Sequence, residues 1–561
     1  MSLQDLIPSA KATPLSQFFI APKKVIWSSA KGVTGAKNLL APKPGQATLK
    51  SQQKITRLTS TKQEDGAILL DFGVEIHGYV EIFISDERPS KLVRKARVRL
   101  GESVSEAMSE LGGQKNAGND HAIRDQKIDL PWLGKKTIGP SGFRFVRIDN
   151  LDPEIPLHIS EVRAVLQIRD VPYLGSFESN DERLNKIWQT GAYTVHLNMQ
   201  EYLWDGIKRD RLVWVGDLHP EVCTVNAVFG SNPVVNDSLD LIRDITPPSQ
   251  WMNGISSYSI WWILIHEELY MQQGDLPYLK KQKKYLVSLL RHLTKFIQKN
   301  GKECLDGFRF LDWPTANDPK ATHEGLQALL AMAMEKGAFL MKTLGEKDMI
   351  TLCLDHYRLL KKHRPSISGR KSPSALLALA GLKKPDQVSS SILKKNGVKD
   401  VSTFYGFYIL NTLAEAGEVV AAQNLISKYW GGMLDLGATS FWEDFNLDWT
   451  KNSGRIDEMV PDGKNDIHGD FGAFCYKGFR HSFCHGWASG PTAWLSRYVL
   501  GISPAEPGFS KVRIQPQLGK LKEVKGTYPT PKGIIRVHHQ KKRNGRIESD
   551  IELPDGVELV D

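Results

Sequence analysis

Between residues 180 and 500, apolar side chains recur at helical spacing in one segment after another, with no strand-like alternation between them. The spacing predicts helices over 180–199, 217–229, 232–244, 257–273, 276–299, 322–344, 346–362, 372–382, 387–395, 402–416, 417–430 and 488–500, with Ser179 or Asn180 able to cap the first. A dozen successive helices narrow the architecture sharply, because each has an apolar stripe to bury. An (α/α)6 barrel buries them all: an inner ring of six surrounds a cavity and an outer ring covers it. The fold class is therefore mainly α with flanking β.

The flanks read differently. At 561 residues the chain exceeds a single core, and about two to four domains are expected. After a tail at 1–19, strand-like runs at 67–72, 78–84, 91–100, 143–148 and 159–168 predict a β-sandwich domain over 20–175, with 112–120 a long Gly- and Asn-rich loop. The barrel is assigned to 176–500. Beyond it, strands at 511–514, 533–537 and 547–551, broken by prolines, predict a small β-domain over 501–561 that packs on the barrel.

Several function classes are disfavoured. The longest apolar run is short, Ile260-Trp261-Trp262-Ile263-Leu264-Ile265, so no membrane span is expected. The net charge of +10 comes from scattered lysines, which argues against nucleic acid and suits an acidic polysaccharide at least as well. Five cysteines without a Cys-x-x-Cys pair indicate neither a disulfide framework nor zinc. Glycine-rich phosphate loops, Gly-x-Ser-x-Gly elbows and His-Glu-x-x-His pairs are not found, so no cofactor and no metal are expected. The first residues lack the apolar core of a leader; the protein is periplasmic or secreted if a leader was removed and cytoplasmic otherwise. Oligomeric state is not legible.

Twelve of the 14 tryptophans fall within the helical region and none after it. Aromatic faces stack on the C–H faces of sugar rings, so an aromatic hollow with carboxylates suits carbohydrate chemistry, although tryptophan in helices is also ordinary core.

The densest polar stretch is Asp205-Gly206-Ile207-Lys208-Arg209-Asp210-Arg211-Leu212-Val213-Trp214-Val215-Gly216-Asp217. Its charges are costly to bury unless they pair or bind something. If the segment coils, Asp205, Arg209 and Asp210 meet across one turn. A carboxylate beside Arg209 and Arg211 should stay ionised, while one facing Trp214 should hold its proton longer and be able to deliver it. The alternative is a surface loop of salt bridges. A second site is Glu443 beside Trp442, with His485 and Trp487 downstream; Glu443 reads as a general base or as a helix N-terminal glutamate that favours the dipole. In a third, Asp312 and Trp313 either bind a sugar or form a capped turn before Pro314, and Trp262 of the run 261–268 is a further candidate contact.

The stretch 205–217 resembles the signature of the α-L-rhamnosidases of glycoside hydrolase family 78, Asp-x-x-x-Arg-(Glu or Asp)-Arg-x-x-Trp-x-Gly-Asp. Every fixed position is met, by Asp205, Arg209, Asp210, Arg211, Trp214, Gly216 and Asp217. The likeness extends to Leu70-Asp71-Phe72-Gly73 and Gly101-Glu102-Ser103 in the amino-terminal part, to 438–443 and Ser482-Phe483-Cys484-His485, and to 501–516. Membership implies an (α/α)6 catalytic barrel and hydrolysis with inversion. It implies Asp210 as general acid and Glu443 as general base, with Asp205, Arg209, Trp214 and Asp217 holding the sugar and His485 assisting. Asp312 and Trp313 match less closely. Two departures stand out: the acid, commonly Glu, is Asp here, so its reach or its neighbours differ, and Lys208 adds a cation expected to lower the pKa of nearby carboxylates.

An inverting pair requires carboxyl groups roughly 6.5 to 9.5 Å apart, leaving room for water. The expected partner is a rhamnose-containing glycoside or oligosaccharide. The rivals are an unsaturated uronyl hydrolase or polysaccharide lyase, a non-catalytic sugar-binding protein, and a nucleic-acid binder.

Overall fold

The computed structural model describes residues 12–49, 54–62, 64–86, 91–121, 123–153, 155–365, 367–474 and 476–561. Part of the expected tail lies outside these residues. The rest is not a tail: Ser16–Ile20 is a strand paired antiparallel with Leu157–Ile168, because Ile20 has a core to pack against.

Nine strands form the amino-terminal sheet. Its order runs Val33–Thr34, Thr56–Leu58, Leu157–Ile168, Ala67–Ser85, Leu133–Asn150, Val93–Gly101, Asp125–Pro131, with Ser16–Ile20 and Lys24–Ser28 pairing off this path. The runs at 67–72 and 78–84, read as two strands, are one. Register shifts between Asp71 and Ile76 and between Gly78 and Val80 absorb the intervening residues while the chain stays paired with Leu133–Asn150. Ile68, Leu70, Ile82, Val98, Ile148 and Val162 form this sheet's core.

Twelve α-helices follow among the described residues from 182 to 494, each overlapping a predicted one. Six close into a ring: Leu218–Val228, Ser256–Gln273, Pro319–Thr343, Lys371–Leu379, Gly406–Glu415 and Gly490–Trp494 each pack on the next, and the last returns to the first. Ser256–Gln273 illustrates why it is inside. It is apolar on all sides, with Ile260, Trp261, Trp262 and Ile263 wholly buried, as a helix covered by both rings must be.

The carboxy-terminal chain forms two small sheets. Glu523–Thr530, Gly533–Lys541 and Ile547–Glu552 make one, which also takes Ser176–Ser179 from the start of the predicted barrel segment; Ile502–Pro504, Lys511–Ile514 and Glu558–Val560 make the other. Val524, Tyr528, Ile535 and Val537 share the barrel's core, so these sheets are sealed onto the helices.

Candidate active site

The stretch 205–217 does not coil. It is a loop between helices Glu182–Asn198 and Leu218–Val228, closed on itself by Asp205 N–H to the Leu212 carbonyl at 3.0 Å and Leu212 N–H to Asp205 Oδ1 at 2.9 Å. Asp210 and Arg211 both adopt the left-handed region, with φ of 57° and 55°. For residues with a Cβ this costs roughly 1–2 kcal/mol each, so neighbouring contacts must hold the turn. Arg211 Nη2 donates to the His121 carbonyl at 2.7 Å, and the Asp210 amide donates to His121 Nδ1 at 3.2 Å.

A second loop lies alongside. Gly206 bridges to His485, and Gly486 N–H donates to the Asp205 carbonyl at 2.8 Å, which brings His485 Nε2 to 3.7 Å from Asp205 Oδ2, 4.0 Å from Asp217 Oδ2 and 3.5 Å from Glu443 Oε1. Gly216 permits the remaining approach: a Cβ there would lie 2.2 Å from the ring of Tyr258, whose hydroxyl donates to Asp217 Oδ1 at 2.6 Å.

Glu443 is a loop residue, not a helix start. Its N–H donates to the Ser482 carbonyl at 3.0 Å, its own carbonyl accepts from Thr403 Oγ1 at 2.6 Å and Trp487 Nε1 at 2.9 Å, and Arg209 Nη2 donates to Oε1 at 2.6 Å. The two loops enclose a hollow of about 280 Å³. Asp205, Arg209, Asp210, Asp217, Glu443 and His485 supply its polar wall; Trp214, Trp313 and Trp487, with Tyr258, Phe308, Phe310 and Tyr476, supply an aromatic one beside Ile255.

Burial decides the electrostatics. It pushes the Glu443 carboxyl up to about 7, against the opposing pull of Arg209. It also raises Asp205 and Asp217 well above the usual aspartate range, the latter despite the Tyr258 hydroxyl. His485 is held well below its ordinary value, first by burial and then by Arg209, so it stands neutral among the carboxyls. Lys208 does not act here. Its Nζ faces away, 3.2 Å from Glu102 and 3.0 Å from Glu106, and ties the barrel loop to the amino-terminal sheet.

Three sequence candidates lie elsewhere. Trp262 points outward between the two rings, tilted over His266 and edge-on to Tyr285, with Nε1 donating to the Leu239 carbonyl at 3.2 Å. Trp442 stacks on Phe483 behind Glu443, its ring centroid 4.1 Å away, and does not reach the hollow. Asp312 caps the turn Trp313–Thr315 and accepts from Ser372 and Ser402 at 2.9 and 3.0 Å, so its lone pairs serve the fold. Conversely, Asn253, Tyr258 and Tyr476 line the hollow and were not singled out by sequence. Their positions follow from the chain's return path, and no local motif marks them.

Among the described residues, two clusters bring three metal-type ligands together, Glu102–Glu106–His468 and His219–Cys223–Glu268. Neither lines the hollow. Lys208 already sits against the first pair of glutamates, and Arg497 lies 3.6 Å from Glu268 in the second. The hollow itself offers carboxyl groups of graded burial facing aromatic surface, an arrangement suited to proton transfer on a polyhydroxylated ligand.

Comparison with known proteins agrees with this arrangement. An α-L-rhamnosidase of Alteromonas sp. (strain LOR) is 24% identical over 545 residues, covering 89% of this chain and 56% of its own. The chain spans about half the length of the curated relatives it matches. Among solved structures, a GH78 family rhamnosidase of Bacillus sp. GL1 superposes with a TM-score of 0.76 at 20% identity, over 93% of this chain and 55% of that one. A rhamnosidase from Klebsiella oxytoca, solved with rhamnose bound, gives 0.67 at 18%, over 86% of this chain and 96% of that one. Residues 172–356 match the bacterial α-L-rhamnosidase six-hairpin glycosidase domain and residues 501–560 the bacterial α-L-rhamnosidase C-terminal domain, so the chain resembles the bacterial α-L-rhamnosidases over both segments.

Proposed function

We propose that the protein is a glycoside hydrolase that releases L-rhamnose, or a closely related sugar, from α-L-rhamnosides with inversion at the anomeric carbon. The observation that carries this reading is the meeting of Asp210 and Glu443, far apart in sequence, on one aromatic-walled hollow.

Glu443 has the features of a base that activates water. It is buried, its carboxyl sits near neutrality, and Arg209 both orients Oε1 and favours the ionised form. Asp210 is the more exposed carboxyl, with a fifth of its side chain accessible. It is assigned the proton donation. Asp205, Asp217 and neutral His485 are placed to bond sugar hydroxyls and to support positive charge building on the ring, while Trp214, Trp313 and Trp487 cover the apolar ring face.

The test is hydrolysis of 4-nitrophenyl α-L-rhamnoside, with related deoxy-sugar glycosides as controls and the first-formed anomer followed by NMR. Release of the β-anomer is expected. Release of the α-anomer, no turnover, or a product with a new carbon–carbon double bond would replace this reading with retention, binding alone, or a lyase.

A further inference from the structure

The acid position is completed by a residue that belongs neither to the barrel nor to the motif. His121, on the loop that precedes strand Asp125–Pro131 of the amino-terminal sheet, reaches across to Asp210. Its Nδ1 lies 3.0 Å from Asp210 Oδ1 and accepts the Asp210 amide at 3.2 Å. Its carbonyl accepts Arg211 Nη2, so side chain and backbone of His121 together grip the two left-handed residues.

Nδ1 can accept or donate, not both. Accepting, it takes the Asp210 amide; donating, it bonds Asp210 Oδ1; either bond ties the ring to Asp210. Arg480 Nη2, which can only donate, lies 3.0 Å from Nε2, and Asp120 Oδ2 lies 3.5 Å from it with Arg480 Nη1 paired to Asp120, so each ring nitrogen faces a donor and a neutral ring accepts from one of them. The other charged groups around this recess are Glu106, Arg124, Lys208 and Arg209.

We propose that His121 is a positioning residue for Asp210: its ring and carbonyl hold the strained turn, and Nδ1 holds the carboxyl beside it in the geometry from which Asp210 meets the leaving oxygen. The proposal rests on the acid role assigned to Asp210 above, and it makes the amino-terminal sheet a contributor to the chemistry.

Wild type, His121→Ala and His121→Gln are compared on an alkyl α-L-rhamnoside, which needs a proton on departure, and on 2,4-dinitrophenyl α-L-rhamnoside, which does not. Each is assayed across pH with and without imidazole. For His121→Ala, a loss of about tenfold or more in kcat is expected on the alkyl glycoside, against about twofold or less on the dinitrophenyl one, since positioned acid catalysis contributes about 10²–10⁴-fold. Imidazole should restore part of the rate. His121→Gln keeps an acceptor for the amide and should lose less, which preserves the test if the Ala variant fails to fold. Equal losses on both substrates, or no loss, would overturn the proposal. A wild type inactive on both rhamnosides would instead remove the acid role itself, a result distinguishable from an active enzyme indifferent to residue 121.

Discussion

Arg209→Met offers the sharpest test of how the hollow sets its own pH dependence. In the native protein burial lifts the Glu443 carboxyl to about 7, and Arg209, donating at 2.6 Å, is the largest opposing influence. A cation this close lowers a carboxylate's pKa by about 1–3 units, and methionine keeps most of the volume without the charge. Taking about 2 units, the variant loses about 2.7 kcal/mol of preference for the ionised base. At pH 7 the ionised fraction then falls from about one half to about one hundredth, a loss of about 50-fold in kcat/KM from this cause alone. The sign is fixed by the base's need to be ionised: activity is present above the Glu443 pKa and lost as pH falls through it. The acidic limb should stand near 7 in the wild type and about 2 units higher in the variant, with much of the rate recovered at alkaline pH. The assay is kcat/KM on an aryl α-L-rhamnoside over pH 5–10, with thermal melting at each pH as a control. Arg209 also lines the hollow, so a uniform drop can accompany the shift. A uniform drop with the limb unmoved would refute the assignment of Glu443 as the titrating base held by Arg209.

Asp210→Asn and Glu443→Gln should each lower kcat by about 10²–10⁴-fold while leaving the melting temperature within a few degrees, as steady-state kinetics and calorimetry would show. Trp262→Phe should leave KM unchanged, since the ring faces the outer helices, whereas Trp262→Ala should cost about 3–5 kcal/mol of stability in urea titration. Lys208→Met leaves the buried Glu102 without its cation and Glu106 with Arg124 alone, and should destabilise by about 3–5 kcal/mol, read as a fall in melting temperature at neutral pH. Glu221, wholly buried beneath Asp217 and Asp205, has its carboxyl raised well above the ordinary glutamate range by burial. Its native form therefore binds more protons than the unfolded chain, and stability contributed by this group declines as pH rises past the unfolded value. Glu221→Gln should remove that decline, so its stability advantage over wild type should widen between pH 5 and 8; a constant difference would show that Glu221 does not titrate this way.

The helical count was legible because helix formation answers to a local period. Each of the twelve barrel helices declares itself through apolar residues three and four apart, and closure into six hairpins follows from the need to bury twelve stripes at once. Strand joins were less legible. A bulge lets one strand run through Gly73 and Gly78, residues that in a linear reading mark turns.

The motif residues Asp205, Arg209, Trp214 and Asp217 were likewise readable, since thirteen residues of such charge need a shared environment. Which way each side chain turned was not. Lys208 and Arg209 are neighbours, yet one enters a buried carboxylate cluster beside the amino-terminal sheet and the other the aromatic-walled hollow. Trp262 and Trp442 have the composition of sugar platforms and the positions of core. His121, Tyr258 and Tyr476 carry no local signal at all, because their neighbours come from distant segments. Residue type and spacing alone thus determined the architecture and the chemical inventory, since both depend on short-range periodicity and on the cost of burying charge. The tertiary structure alone decided which groups meet and which of them keep their protons, because desolvation and pairing are properties of the assembled hollow and not of any one segment of chain.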